Sequence, residues 1–154
     1  REAMAFADDV CRRAGEPVPV TGQILSWSEL RTLVDDGLTV GLHTRTHAAL
    51  DQLTTSEIRS EISGARADLM SHLGVAPPVI AYPYGSHSPN VVATAAEEGM
   101  KLGFTCREGH NRLPLREPLR MRRTNISRRT SPEVFALRLS RLFATVDRIR
   151  QHRR

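Results

Sequence analysis

Two capping boxes, Ser26-Trp27-Ser28-Glu29 and Thr54-Thr55-Ser56-Glu57, each start an amphipathic helix that ends at a glycine and feeds a short apolar run. The first helix buries Trp27, Leu30 and Val34, stops at Gly37 and leads into a strand over 38–42. The second carries Ile58, Ile62, Ala65, Leu69 and Leu73 on one face and stops at Gly74. Pro77-Pro78 then turns the chain into a strand, Val79-Ile80-Ala81-Tyr82. The pattern repeats: Ser88-Pro89 opens a helix ended by Gly99, and strands follow at Leu102 to Cys106 and Leu119 to Ile126. A helix over 1–14 and a loop over 16–22 precede this series. A terminal helix from Ser131-Pro132-Glu133, with Phe135, Leu139, Leu142, Val146 and Ile149 on its face, closes it. Strands alternating with helices argue for one α/β domain over residues 1–154, built on a largely parallel sheet. Right-handed crossovers put the strand C-termini on one edge, where such folds build their sites. His43 and Tyr84 both follow strands at that edge.

At 154 residues the chain is long enough to bury a core. No apolar run approaches the ~20 residues that span a bilayer, and residues 1–20 carry no signal-peptide pattern. The chain opens on Arg1, so the compartment stays open between cytoplasm and cell envelope. Cys11 and Cys106 have no CxxC spacing and read as small buried hydrophobes without a disulfide. The formal charge of +5 comes from the last third: residues 112–154 hold 13 of the 22 basic side chains and 3 of the 17 acidic ones. Such a face could meet an anionic polymer. It lacks the interleaved aromatics of single-strand readers, however, and its arginines fit the solvated side of the terminal helix, which argues against a nucleic-acid partner. Nothing in the sequence sets an oligomeric state.

Two segments could carry chemistry. In His43-Thr44-Arg45-Thr46-His47 two imidazoles stand four residues apart, a spacing that serves one metal ion if the backbone makes a turn there. A helical zinc protease motif would need glutamate where Thr44 stands, and two β-branched threonines make a poor helix interior. On spacing alone, metal ligands and ordinary surface or capping histidines both remain open. The second segment is Ala81-Tyr82-Pro83-Tyr84-Gly85. Pro83 fixes φ, Gly85 permits a sharp turn, and the Tyr84 N–H could point at a ligand; a strand end with an aromatic plug is the plainer reading.

The order of the two segments, one helix apart, resembles the polysaccharide deacetylase family, the carbohydrate esterases with the NodB homology domain. The resemblance runs from Trp27 to Ser127. It includes Leu25-Ser26-Trp27, Val40-Gly41-Leu42 leading into the histidine segment, Tyr82-Pro83-Tyr84-Gly85, and Arg123-Thr124-Asn125-Ile126. It implies a distorted (β/α) barrel that removes N-acetyl or sometimes O-acetyl groups from glycans, with a divalent metal, most often Zn2+. His43 and His47 match the family's two histidine ligands, and Thr44 is expected to order their loop. The Tyr84 backbone N–H would hold the oxyanion, and Pro83, Tyr84 and His87 would line the substrate groove. The implied partner is an acetylated glycan.

Departures from the family pattern set further expectations. The apolar strand ending in an Asp-Asp pair, source of the base and third ligand, has no match, so the barrel is expected to lack its first β/α unit. Phe6-Ala7-Asp8-Asp9 lies in a helical pattern too close to His43, and Val34-Asp35-Asp36-Gly37 is a helix end. Ala81 replaces the arginine that often opens the third motif. The late Leu-x-His motif is absent, and His152 sits in a basic tail. His72 reads as a helix-end residue and His110 as a loop residue. The leading reading is a metal-dependent deacetylase present as a piece that lacks its base and is inactive alone. The alternative is a catalytically inactive, glycan-binding relative of the same fold.

Overall fold

The computed structural model describes residues 24–140. The helix expected over 1–14, Cys11, the Phe6–Asp9 pair, the end of the terminal helix and His152 lie outside the described residues. Helix α1 spans Trp27–Asp35, α2 Thr55–Leu73, α3 Pro89–Glu97 and α4 Pro132–Leu139. Strands β1 (Val79–Ala81), β2 (Leu102–Glu108) and β3 (Met121–Arg123) form a parallel sheet in the order β1-β2-β3. Ile80 pairs with Gly103 and Phe104 with Met121.

Both capping boxes form. Ser26 Oγ accepts from Glu29 N–H while Glu29 reaches back to Ser26 N–H, and Thr54 and Glu57 do the same at α2. Each satisfies two amides that the first turn of a helix leaves without partners. The five apolar residues assigned to one face of α2, Ile58, Ile62, Ala65, Leu69 and Leu73, are all buried. They join Leu42, Leu50, Ile80, Tyr82, Val91, Ala95 and Met100 in a single core. Ile62 is fully buried in it. Ile62→Ala is therefore expected to lose about 2–5 kcal/mol through lost contacts and the void left behind. Urea unfolding checks this as a lowered midpoint at unchanged slope.

Several local expectations need correction. The segment 38–42 is not a strand: only Leu42 pairs, in one parallel bridge to Ile80, with Leu42 N–H donating to Val79 O and Ala81 N–H to Leu42 O. Leu38 N–H instead donates to Leu33 O and is spent on closing α1. Trp27 is not buried but 43% exposed, because the nine-residue α1 buries no residue among those described. Its ring stacks on His72, at the end of α2, with centroids 4.2 Å apart. Cys106 is exposed rather than a core hydrophobe. Burial along β2 alternates through Gly103 and Thr105, which puts Cys106 out of phase with the core. The strand expected over 119–126 shortens to Met121–Arg123, since Pro118–Arg120 form a 3-10 turn. In α4, Phe135 is half-buried and Leu139 exposed.

Candidate functional site

Because β1, β2 and β3 are parallel, their C-terminal ends, Ala81, Glu108 and Arg123, share one edge of the sheet. The Leu42 bridge runs parallel to β1 as well, so His43 leaves the sheet at that same edge. The two segments singled out in the sequence meet there. The rings of His43 and His47 lie edge to face with centroids 4.8 Å apart, and those of His47 and Tyr84 with centroids 4.9 Å apart. All three side chains are exposed.

His43 Nδ1 lies 2.6 Å from Ala81 O. A carbonyl oxygen only accepts, so Nδ1 carries a proton, and in the neutral ring Nε2 keeps the lone pair. This is how a ligating histidine is normally oriented, its second nitrogen tied to an acceptor. His43 therefore fits one imidazole position of a metal site, and the His47 ring stands beside it. Among the described residues no third histidine, cysteine, aspartate or glutamate joins the two rings. Asp35 ends α1 and Asp36 caps it.

The loop that carries the rings is bent against its own preferences. Thr44 has φ 63°, His47 φ 62° and Tyr84 φ 57°. A left-handed β-branched residue is a genuine outlier, and each such position costs about 1–3 kcal/mol and persists only where its surroundings impose it. One imposing group is Glu61, on α2. Its Oε2 accepts from Arg45 N–H (2.9 Å) and Thr46 N–H (2.8 Å), and its Oε1 from the Thr46 hydroxyl (2.8 Å). Burial pushes this carboxyl up, but the bonds from Thr46 and Arg45 outweigh it and hold the carboxyl below its ordinary value. The Thr44 hydroxyl is close enough to favour that charge, yet its geometry falls short of a hydrogen bond and Oγ1 is buried without a partner. The bonds that order the loop thus run through Thr46 and Arg45. Arg45 Nε also pairs with Asp68 at 3.0 Å, lying across Gly64, where a Cβ would fall 2.8 Å from Arg45 Cδ.

The second segment makes a 3-10 turn, Pro83–Gly85, closed by Gly85 N–H to Tyr82 O and Ser86 N–H to Pro83 O. These bonds do not use the Tyr84 N–H. Pro83 is buried and Tyr84 is 72% exposed. Tyr82 is the aromatic plug: fully buried, it donates to Leu119 O at 3.0 Å, and burial pushes its phenol up to about 12 against the charge of Arg120. His87 stacks on Tyr82 and its Nδ1 donates to Gly85 O (2.7 Å), so it braces the turn. Asp51 N–H donates to Ser86 Oγ (3.2 Å) and ties the segment after His47 to this turn. Beyond Gly85 a cleft of about 390 Å³ opens, lined by Cys106, Glu108, Arg123, Thr124 and Asn125. Of the remaining histidines, His110 Nε2 bonds to Arg138 O, away from the pair.

Glu61, Gly64 and Asp68 escaped the sequence reading, because glutamate and aspartate on a helix surface look like a solvated face. The available signal was their i, i+3, i+7 spacing with a glycine in mid-helix, where close backbone approach is the usual reason for one.

Comparison with known proteins agrees with this geometry. The family model described as polysaccharide deacetylase matches residues 9–103, more than half of the chain. No curated protein matches significantly. Among solved structures, the deacetylase PplD of Streptococcus pyogenes in complex with acetate superposes with a TM-score of 0.72 at 24% identity, over 79% of this chain and 53% of that one. BC0361, a polysaccharide deacetylase from Bacillus cereus, gives 0.70 at 29% identity over 80% and 39%. IcaB from Ammonifex degensii gives 0.65 at 27% identity over 77% and 55%. The chain thus spans about half the length, or less, of these proteins. Their fold is the (β/α) barrel expected from the sequence, and the parallel sheet and its helices match part of it. With the family model covering both ring-bearing segments, the chain belongs to the polysaccharide deacetylase family.

Proposed function

We propose that this chain supplies the histidine and oxyanion side of a metal-dependent site that removes acetyl groups, N-acetyl foremost, from a glycan. The observation that carries the reading is the meeting of His43, His47 and Tyr84 within 5 Å ring contacts at the C-terminal edge of a parallel sheet. His43 and His47 would hold the ion, Zn2+ being suited to two imidazoles and an oxygen donor. Such an ion polarises an acyl carbonyl and activates water. The chain's own residues do the rest. Ala81 O keeps His43 in the tautomer that presents Nε2. The Tyr84 N–H, left out of its own turn, is a donor for the negative charge that develops on the acetyl oxygen. His87 fixes the turn through Gly85 O, and Pro83, Tyr84 and His87, with the cleft of about 390 Å³ beyond Gly85, would take neighbouring sugar units.

The carboxylate that would complete the ion's ligands and act as base is not among the described residues. The alternative reading is a glycan-binding relative of the same fold without chemistry. The test is acetate release from N-acetylated oligosaccharides by the chain, with Zn2+ and with a chelator. Release that chelation abolishes supports the deacetylase. Oligosaccharide binding that neither Zn2+ nor the chelator changes, with no release under either condition, replaces it with the binding module.

A further inference from the structure

We propose that Glu61 is the positioning residue of the histidine loop, holding His43 and His47 at the separation and angle at which both rings can serve one cation. The inference rests on the reading of the two histidines as ligands. Four observations carry it. Glu61 is on the core helix α2, flanked by buried Ile58 and Ile62, so its position is fixed by packing. Its two oxygens accept three bonds from Arg45 and Thr46, which lie between the histidines in the chain. Those bonds act where the backbone is least able to hold itself, since Thr44 and His47, on either side, are both left-handed. A second tie acts in the same direction: Arg45 crosses Gly64 to reach Asp68, one turn further along the same face.

The geometry also says why the residue is an acid. One oxygen takes both backbone N–H groups and the other takes the hydroxyl, so only a group with two acceptors satisfies all three donors as they stand. Glutamine keeps one carbonyl oxygen for the two amides and offers an NH2 to Thr46, whose hydroxyl can turn round and accept. It loses the charge that strengthens each bond but not the pattern. Alanine loses both, and the strained backbone is then free to relax.

The experiment compares the chain with Glu61→Ala, Glu61→Gln and Thr46→Val. Zn2+ is titrated while the imidazole and loop amide resonances are followed by NMR. The expected result is a loss of Zn2+ affinity of about 10–100-fold in Glu61→Ala, the range for partners that orient ligands, with a smaller loss in the other two. The Arg45 and Thr46 amides should lose exchange protection in Glu61→Ala while core amides keep theirs. Parent-like Zn2+ affinity in Glu61→Ala, with those amides unprotected, overturns the proposal and leaves the metal reading standing. Absence of Zn2+ binding at the two rings of the parent instead sinks the metal reading. The metal-free spectra then decide the positioning role. Altered contacts between the His43 and His47 rings in Glu61→Ala sustain it, and unchanged ones overturn it. Should Glu61→Ala fail to fold, Glu61→Gln and Thr46→Val carry the same comparison.

Discussion

Gly85→Ala is expected to cost several kcal/mol and to displace Tyr84 from the histidine pair. Two independent effects add. Gly85 has φ +69°, where an alanine is strained by roughly 1–2 kcal/mol. A Cβ there would also fall 2.4 Å from Cys106 N and 2.6 Å from Cys106 Cβ. The obstacle is backbone of β2, the central strand of the sheet, and not the end of a flexible side chain, so the turn must move. Forced overpacking of that kind costs a further ~1–3 kcal/mol. Gly85 N–H closes the turn onto Tyr82 O and Gly85 O takes the bond from His87, so the movement is passed to both neighbours. Urea unfolding should show the loss of stability, and ring contacts between His47 and Tyr84 should weaken in the folded fraction. Cys106→Gly, which removes the facing Cβ but not the facing amide, should restore only part of the loss.

That contact could not have been read from the sequence. Gly85 was assigned a sharp turn, which it makes, but that Cys106 stands against it follows from the β1–β2 register and not from any local pattern. The same division runs through the molecule. Elements set by local chemistry are where the sequence puts them: both capping boxes, the five buried residues of α2, Pro89 at the start of α3 and the strand from Leu102. Trp27 and Cys106 were misjudged because hydrophobic character says what a residue prefers and not whether a neighbour covers it. The segment 38–42 was misjudged because α1 consumes the Leu38 amide. The histidine pair was legible as a spacing. The bonds that bend its loop were not, since they come from Glu61 and, across Gly64, from Asp68, on a helix that its own periodicity explains in full.

His47→Gly is expected to leave the fold as stable as before, or more so by about 1 kcal/mol, while Zn2+ binding falls by well over the 10–100-fold that loss of an orienting partner produces. The two effects have opposite signs for one physical reason. His47 is at φ 62°, a conformation that glycine adopts freely and histidine does not. Relief of roughly 1–3 kcal/mol of strain offsets the ~0.5–1 kcal/mol by which glycine favours the unfolded chain. The exposed ring contributes little to the core, its contacts being the edges of His43 and Tyr84. His43→Ala should match the loss of Zn2+ without any gain in stability, because His43 is not left-handed and gives up a 2.6 Å bond to Ala81 O. His72→Ala is the control: it removes an imidazole stacked on Trp27 at the far end of α2 and should leave Zn2+ affinity alone. Calorimetric titration with Zn2+ and thermal unfolding of the metal-free variants read both quantities. A residue that destabilises its own backbone, yet proves necessary for the ion in this experiment, would be held there for binding and not for folding. Equal Zn2+ affinity in His47→Gly and the parent would remove the basis for reading the pair as ligands.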